Sequence, residues 1–169
     1  MALPFVLSLR KGAERVVIVR EKIEAVSTAV LNRFAQNAKR RVGLAGEVSI
    51  LITSSDEVRQ LNRKFRKKNK ATDVLSFPSH DFENSGDIAI SWEIARENGD
   101  ALGHGTPTEL KVLILHGMLH LAGYDHESDS GEMATLEMEL RKKLRLPQGL
   151  IERVIGKGGA ARNKRSVKR

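Results

Sequence analysis

The chain has 169 residues, which suits one compact domain rather than two. With 40% hydrophobic and 30% charged residues and no cysteine, it can bury a core, so wholesale disorder, a disulfide framework and thiolate metal ligands are excluded. The net charge of +8 is uneven: six basic residues and no acid lie in Gly156 to Arg169, six more lie between Arg63 and Lys70, and everything outside these two segments sums to −4. Positive charge concentrated in this way points to a polyanion such as nucleic acid, with a solvated, solubilising face as the plainer alternative.

Leu3 to Leu9 form an apolar patch with no basic segment before it and no small-residue cleavage site after it. It does not read as a signal peptide. No run approaches the ~20 apolar residues of a membrane span, and a cytoplasmic protein without a membrane partner is expected. Phe5 to Leu9 and Val16 to Val19 are candidate strands. From Glu21 to Lys39, apolar Ile23, Val26, Val30, Phe34 and Ala38 recur at helical steps, which predicts an amphipathic helix stopped by Gly43 and Gly46. Val48, Ile50 and Ile52 alternate with other side chains as in a half-buried strand. Ser54-Ser55-Asp56-Glu57 is a capping box for a helix with Val58, Leu61 and Phe65 inward. Val74 to Phe77 is a short strand stopped by Pro78. A polar loop over Ser79 to Ser85, a strand over Asp87 to Ser91 and a short helix over Trp92 to Asn98 follow. A glycine-rich loop leads through Pro107 to a buried helix, Glu109 to Leu121. Met133, Leu136, Leu140 and Leu144 mark a last amphipathic helix before Pro147. About four strands and five helices out of strict alternation predict an α+β fold, a mixed sheet with helices packed on it. Residues 1–155 are expected to form that domain and residues 156–169 a flexible basic tail.

The segment His116-Gly-Met-Leu-His120-Leu-Ala-Gly123-Tyr-Asp-His126 carries the chemistry. Residues four apart share a helix face, so His116 and His120 can present two imidazoles to one ion. Gly123 can take positive φ, end the helix and turn His126 back as a third ligand. Three neutral nitrogens suit one Zn²⁺ per chain and leave a fourth position open, as in catalytic sites. An ordinary half-buried histidine pair is the bland alternative; the glycine-spaced third histidine, which repeats the ligand spacing of metzincin proteases, argues against it. Those proteases have a glutamate base after the first histidine. Here that residue is Gly117, which accepts no proton, so a peptidase is not expected. Asp125, Glu109 and Asp87 are the nearby carboxylates, able to orient a ligand histidine or, less simply, to do chemistry. His80 and His104 fall in predicted loops and read as solvated.

The same histidine segment resembles the signature of the YbeY family of bacterial rRNA maturation factors. Leu61-Asn62-Arg63-Lys64-Phe65-Arg66, Lys70-Ala71-Thr72-Asp73-Val74-Leu75-Ser76-Phe77-Pro78 and Gly86-Asp87-Ile88-Ala89-Ile90-Ser91 are similar to its central motif and following strand, in the same order. Phe65 stands where many members have tyrosine, and the basic tail is outside the resemblance. The resemblance implies a YbeY-like metallohydrolase domain with a zincin-like metal helix. Its activity would be that of a zinc-dependent, single-strand-specific endoribonuclease in 16S rRNA 3′-end maturation and ribosome quality control. The implied partners are rRNA, the small ribosomal subunit and a ribosomal or assembly protein. His116, His120 and His126 correspond to the zinc ligands and Arg66 to the family's functional arginine, with Arg66 and His116 as the expected catalytic pair. Arg66 is suited to a phosphate, or else to a salt bridge with Asp73. Arg63, Lys67, Lys68 and Lys70 would hold flanking phosphates. The contrasting expectation is a non-catalytic assembly factor with a structural zinc site.

Overall fold

The computed structural model describes residues 16–147. The Phe5–Leu9 strand and the 156–169 tail expected from the sequence lie outside the described residues. The elements are β1 (Val17–Val19), α1 (Thr28–Val42), β2 (Glu47–Thr53), α2 (Ser55–Arg66), β3 (Val74–Asp81), β4 (Asn84–Ser91), α3 (Trp92–Ala101), α4 (Gly105–Leu121) and α5 (Glu132–Lys143). The four strands form one sheet in the order β1-β2-β4-β3. β1 runs parallel to β2 with Val17 opposite Ile50, β2 parallel to β4 with Ile50 opposite Ile88, and β3 antiparallel to β4 with Leu75 opposite Ala89. This is an α+β fold with a mixed sheet, as expected.

β2 is a central strand and is covered on both faces. Val48, Ile50 and Ile52 join one core with Ile88 and Ile90 of β4 and the apolar residues of α1, α4 and α5. The opposite face of the sheet, with Leu75 and Ala89, packs on Val58 and Leu61 of α2. Ser49 and Leu51 are buried too, so the half-buried strand expected from alternation is a fully buried one, as a central position between parallel neighbours dictates. α4 lies deep in the larger core, with Leu110, Val112 to Leu115, Met118 and Leu119 all without solvent exposure. A helix apolar on all sides must be buried, and each such side chain contributes roughly 1.5–3 kcal/mol.

Several expectations need correction. The first helix begins at Thr28, not Glu21: Ala25 has φ 61° and Ser27 caps the helix by accepting from the Val30 amide. Its buried residues are Leu31, Ala35 and Ala38, while Val30 is exposed. Ile23 and Val26 do pack on the core, but from the two ends of a turn in which the Val26 amide donates to the Ile23 carbonyl at 3.2 Å. Pro78 does not stop β3, which continues to Asp81. β3 is the sheet's edge, and there a residue without an N–H is tolerated. The polar loop shrinks accordingly to the turn at Phe82 and Glu83, and α4 starts at Gly105 within the predicted loop. The capping box of α2 is half made: Ser54 Oγ accepts from the Glu57 amide at 3.3 Å. The Glu57 carboxylate turns instead to Thr53 Oγ1 and Arg20.

Candidate metal centre

The C-terminal half of α4 projects His116 and His120 from one face, one turn apart. The helix ends there because Ala122 caps it and Gly123 takes φ 93°, a conformation that costs a side-chain-bearing residue more than glycine. The Gly123 amide donates to the His120 carbonyl and the Tyr124 amide to the Leu119 carbonyl, both at 3.1 Å. This turn brings His126 over the other two rings, with ring centroids 5.6 Å from His116 and 5.4 Å from His120.

One ring nitrogen from each histidine falls within 4.8 Å of the others. His116 Nε2 and His120 Nε2 are 3.2 Å apart. Two ligands of a tetrahedral ion at about 2.0–2.1 Å would stand roughly 3.3–3.4 Å apart, so this pair is already spaced for one. Burial grades from buried His116 through His120 to exposed His126, and the group therefore faces out of the core. Burial, then the neighbouring His116 and His126, lower the His120 pKa from 6.5 to about 4, against an opposing hydrogen bond to the Tyr124 backbone and the charge of Asp125. His120 is thus neutral at pH 7, the state a metal ligand needs. The residues fit a divalent ion of zinc's preference.

The cavity in front of the imidazoles, of ≈ 530 Å³, is lined also by Arg66, Lys68, Asp73, Ser76, Asp125 and Glu127. Arg66, the last residue of α2, reaches it with its Nη2 donating to the Ser76 carbonyl at 2.7 Å and its guanidinium 5.8 Å from the Phe77 ring centroid. Phe77 in turn packs edge-on against Phe65, centroids 5.5 Å apart. The alternative partner, Asp73, accepts from its own neighbours, the Val74 amide and Thr72 Oγ1. Asp125 sits on the rim with its carboxyl held below the usual range, chiefly by the Glu127 amide and Ser128 hydroxyl and further by His120 and His126.

The other expected residues part company. Lys68 lines the histidine cavity, whereas Arg63 and Lys67 line a separate crevice on the outer side of α2 with Arg59 and Lys64. Lys70 is exposed, its carbonyl accepting from Asn62 Nδ2 at 2.7 Å. Asp87 is buried on β4 opposite Phe77 and is not among the residues lining the cavity. Glu109 is fully buried two turns up α4, with His104 Nε2 2.5 Å from its Oε2. His104 is therefore not the solvated loop residue expected, because the helix start is one turn earlier and its ring folds back onto Glu109. Exposed His80 is a strand residue.

The carboxylate that does meet one of the three histidines is Glu137 of α5, which sequence reading missed. Its Oε2 lies 2.9 Å from His116 Nδ1, with both residues buried. The available signal was an acid standing on the Met133–Leu140 stripe of an amphipathic helix. Gly117, where a peptidase would carry its base, faces the sheet: a Cβ there would stand 3.0 Å from Ile88 Cδ1 and Cγ2. Its carbonyl accepts from Ser76 Oγ at 3.2 Å. Position 117 is a packing contact between α4 and the sheet, with no room for a carboxylate.

Residues 9–145 match the family described as Endoribonuclease YbeY. A curated relative of that name from Koribacter versatilis is 54% identical over 151 residues, 88% of this chain and 99% of the relative. Another from Solibacter usitatus is 51% identical over 124 residues, 73% of this chain and 84% of the relative. A solution structure of a Thermotoga maritima protein aligns with a TM-score of 0.52 and 27% identity, covering 90% of this chain and 99% of that one.

Proposed function

Because the chain belongs to the Endoribonuclease YbeY family, we propose that it is a zinc-dependent, single-strand-specific endoribonuclease acting in 16S rRNA 3′-end maturation and ribosome quality control in the cytoplasm. The observation that supports this most is the convergence of three imidazoles and the Arg66 guanidinium on one open cavity. His116, His120 and His126 would hold the ion. When bound, such an ion polarises a phosphoryl oxygen and lowers the pKa of a coordinated water. Arg66 takes the scissile phosphate. One of its N–H groups is held by the Ser76 carbonyl, which fixes the guanidinium plane and leaves donors for a bidentate contact as charge develops. Lys68 holds a neighbouring phosphate on the same rim. Asp125, ionised at neutral pH, offers a hydrogen-bond acceptor there.

With 4% aromatic residues in the chain, base stacking contributes little and affinity rests on the backbone phosphates. Choice of cleavage position then falls to the small ribosomal subunit or to a ribosomal or assembly protein that presents the strand. Among the described residues no helix is long and apolar enough to cross a membrane.

The test is cleavage of a single-stranded RNA and of its duplex by the zinc-loaded protein and by His126→Ala. Cleavage of the single strand alone, abolished in the folded variant, is expected. Zinc binding without cleavage would favour the non-catalytic assembly factor, and equal cleavage by both proteins would indicate a foreign nuclease.

A further inference from the structure

α5 is held on the core by Met133 and Leu140, and Glu137 stands between them on the same buried face. Glu137 is 1% exposed and His116 5%. Arg141, one turn further on and 2% exposed, brings its Nε to 3.5 Å from Glu137 Oε1. Burying a carboxylate and a guanidinium strips both of hydration before they attract each other, and apolar residues of like volume often serve the fold as well. Apolar packing of α5 alone therefore gives no reason for the charges. The geometry supplies one. Glu137 Oε2 meets His116 at Nδ1, while Nε2 of the same ring faces His120.

A neutral imidazole has one N–H and one lone pair, and the nitrogen that donates cannot be the nitrogen that ligates. A carboxylate only accepts. We propose that Glu137, oriented by Arg141, is a positioning residue that fixes His116 as the Nδ1–H tautomer and so keeps the Nε2 lone pair directed at the metal position. Arg141 completes the device by drawing Oε1 to itself, which leaves Oε2 for the ring. The proposal rests on the reading that the three histidines hold an ion, but the tautomer itself is a property of the protein without metal and can be read there.

The decisive variant is Glu137→Gln, nearly the same in shape. Its amide has one oxygen and one NH₂. Arg141, which has donors only, will claim the oxygen, and the NH₂ will then face His116 Nδ1. A donor at Nδ1 demands the opposite tautomer, with the proton on Nε2. In chelator-treated full-length protein carrying ¹⁵N-histidine, wild type should show His116 with a pyrrole-type Nδ1 and a pyridine-type Nε2, and Glu137→Gln the reverse. Zinc affinity, measured against a chromophoric chelator, should fall about 10- to 100-fold in that variant. The double variant Glu137→Gln/Arg141→Met frees the amide to turn its oxygen to the ring, so the wild-type tautomer and most of the affinity should return. Loss of affinity from mere disturbance of the core would not be rescued by a second core substitution. A Glu137→Gln protein that keeps the Nδ1–H tautomer and wild-type zinc affinity overturns the proposal. Equal deficits in the single and double variants overturn the part assigned to Arg141. If wild type has the expected tautomer yet binds no zinc, it is the metal reading that fails and the tautomer lock that stands.

Discussion

An imidazole–carboxylate pair stands near each end of helix α4, and the two differ in which ring nitrogen meets the acid and in what the other nitrogen faces. At the N-terminal end His104 Nε2 meets Glu109, and this histidine takes no part in the three-histidine group. Toward the C-terminal end His116 meets Glu137 through Nδ1 and keeps Nε2 for a cluster of ring nitrogens. Chemically the pairs are alike. The first ties the start of a helix to its own interior carboxylate; the second uses the same contact to aim a ring. A histidine–carboxylate pair is thus not by itself the mark of a metal site. What the second ring nitrogen faces decides.

That contrast can be broken most severely by truncating each histidine. His116→Ala should abolish stoichiometric zinc and reduce RNA cleavage on the order of a thousandfold, about 4 kcal/mol in barrier height. His104→Ala should keep zinc and cleavage and lose about 1–3 kcal/mol of stability, because the buried Glu109 carboxylate loses one of its polar contacts. Zinc analysis and urea unfolding of both variants check this, and zinc loss in His104→Ala would erase the distinction.

A change on the face of α4 turned away from the cluster sharpens it. Gly117→Ala places a methyl against Ile88 and should cost about 1–3 kcal/mol in urea unfolding. Gly117→Glu should cost more, since a carboxylate would enter the core, and should bring no proteolysis of casein. A further effect is on acid stability. Folding holds the His120 pKa near 4 instead of 6.5, so the folded metal-free protein binds fewer protons than the unfolded chain between those values. Stability is therefore retained above pH 6.5 and declines as pH falls toward 4. His120→Gln should flatten this decline in chelator-treated protein, as read from urea midpoints across that range.

Much of this was legible before the structure. Local spacing carries His116, His120, Gly123 and His126, because a helix and a reversal are enough to gather them. The α+β class and the mixed sheet follow from element order, whereas the cover on both faces of β2, expected to be half-buried, does not. The misreadings each have a tertiary cause. The periodic apolar residues at Ile23 and Val26 are half-buried from either end of a turn, since packing on the core does not require a helix. Pro78 is harmless on an edge strand, and edges are set by topology. Glu109, two turns before His116, and Asp87, on the preceding strand, invite a role at the histidines; the helix axis and the sheet face carry them elsewhere. Glu137 was hidden because a different helix delivers it. Only the position of a charge on an apolar stripe hinted that something buried awaited it.

The central claim is that His116, His120 and His126 together hold one ion and leave a coordination position open. X-ray absorption on zinc-loaded protein, with zinc quantified per chain, tests it most directly. One zinc per chain with three imidazole nitrogens at about 2.0–2.1 Å and a non-protein oxygen as fourth neighbour is the predicted result. Fewer than three imidazoles, or a fourth protein ligand closing the sphere, would contradict the account.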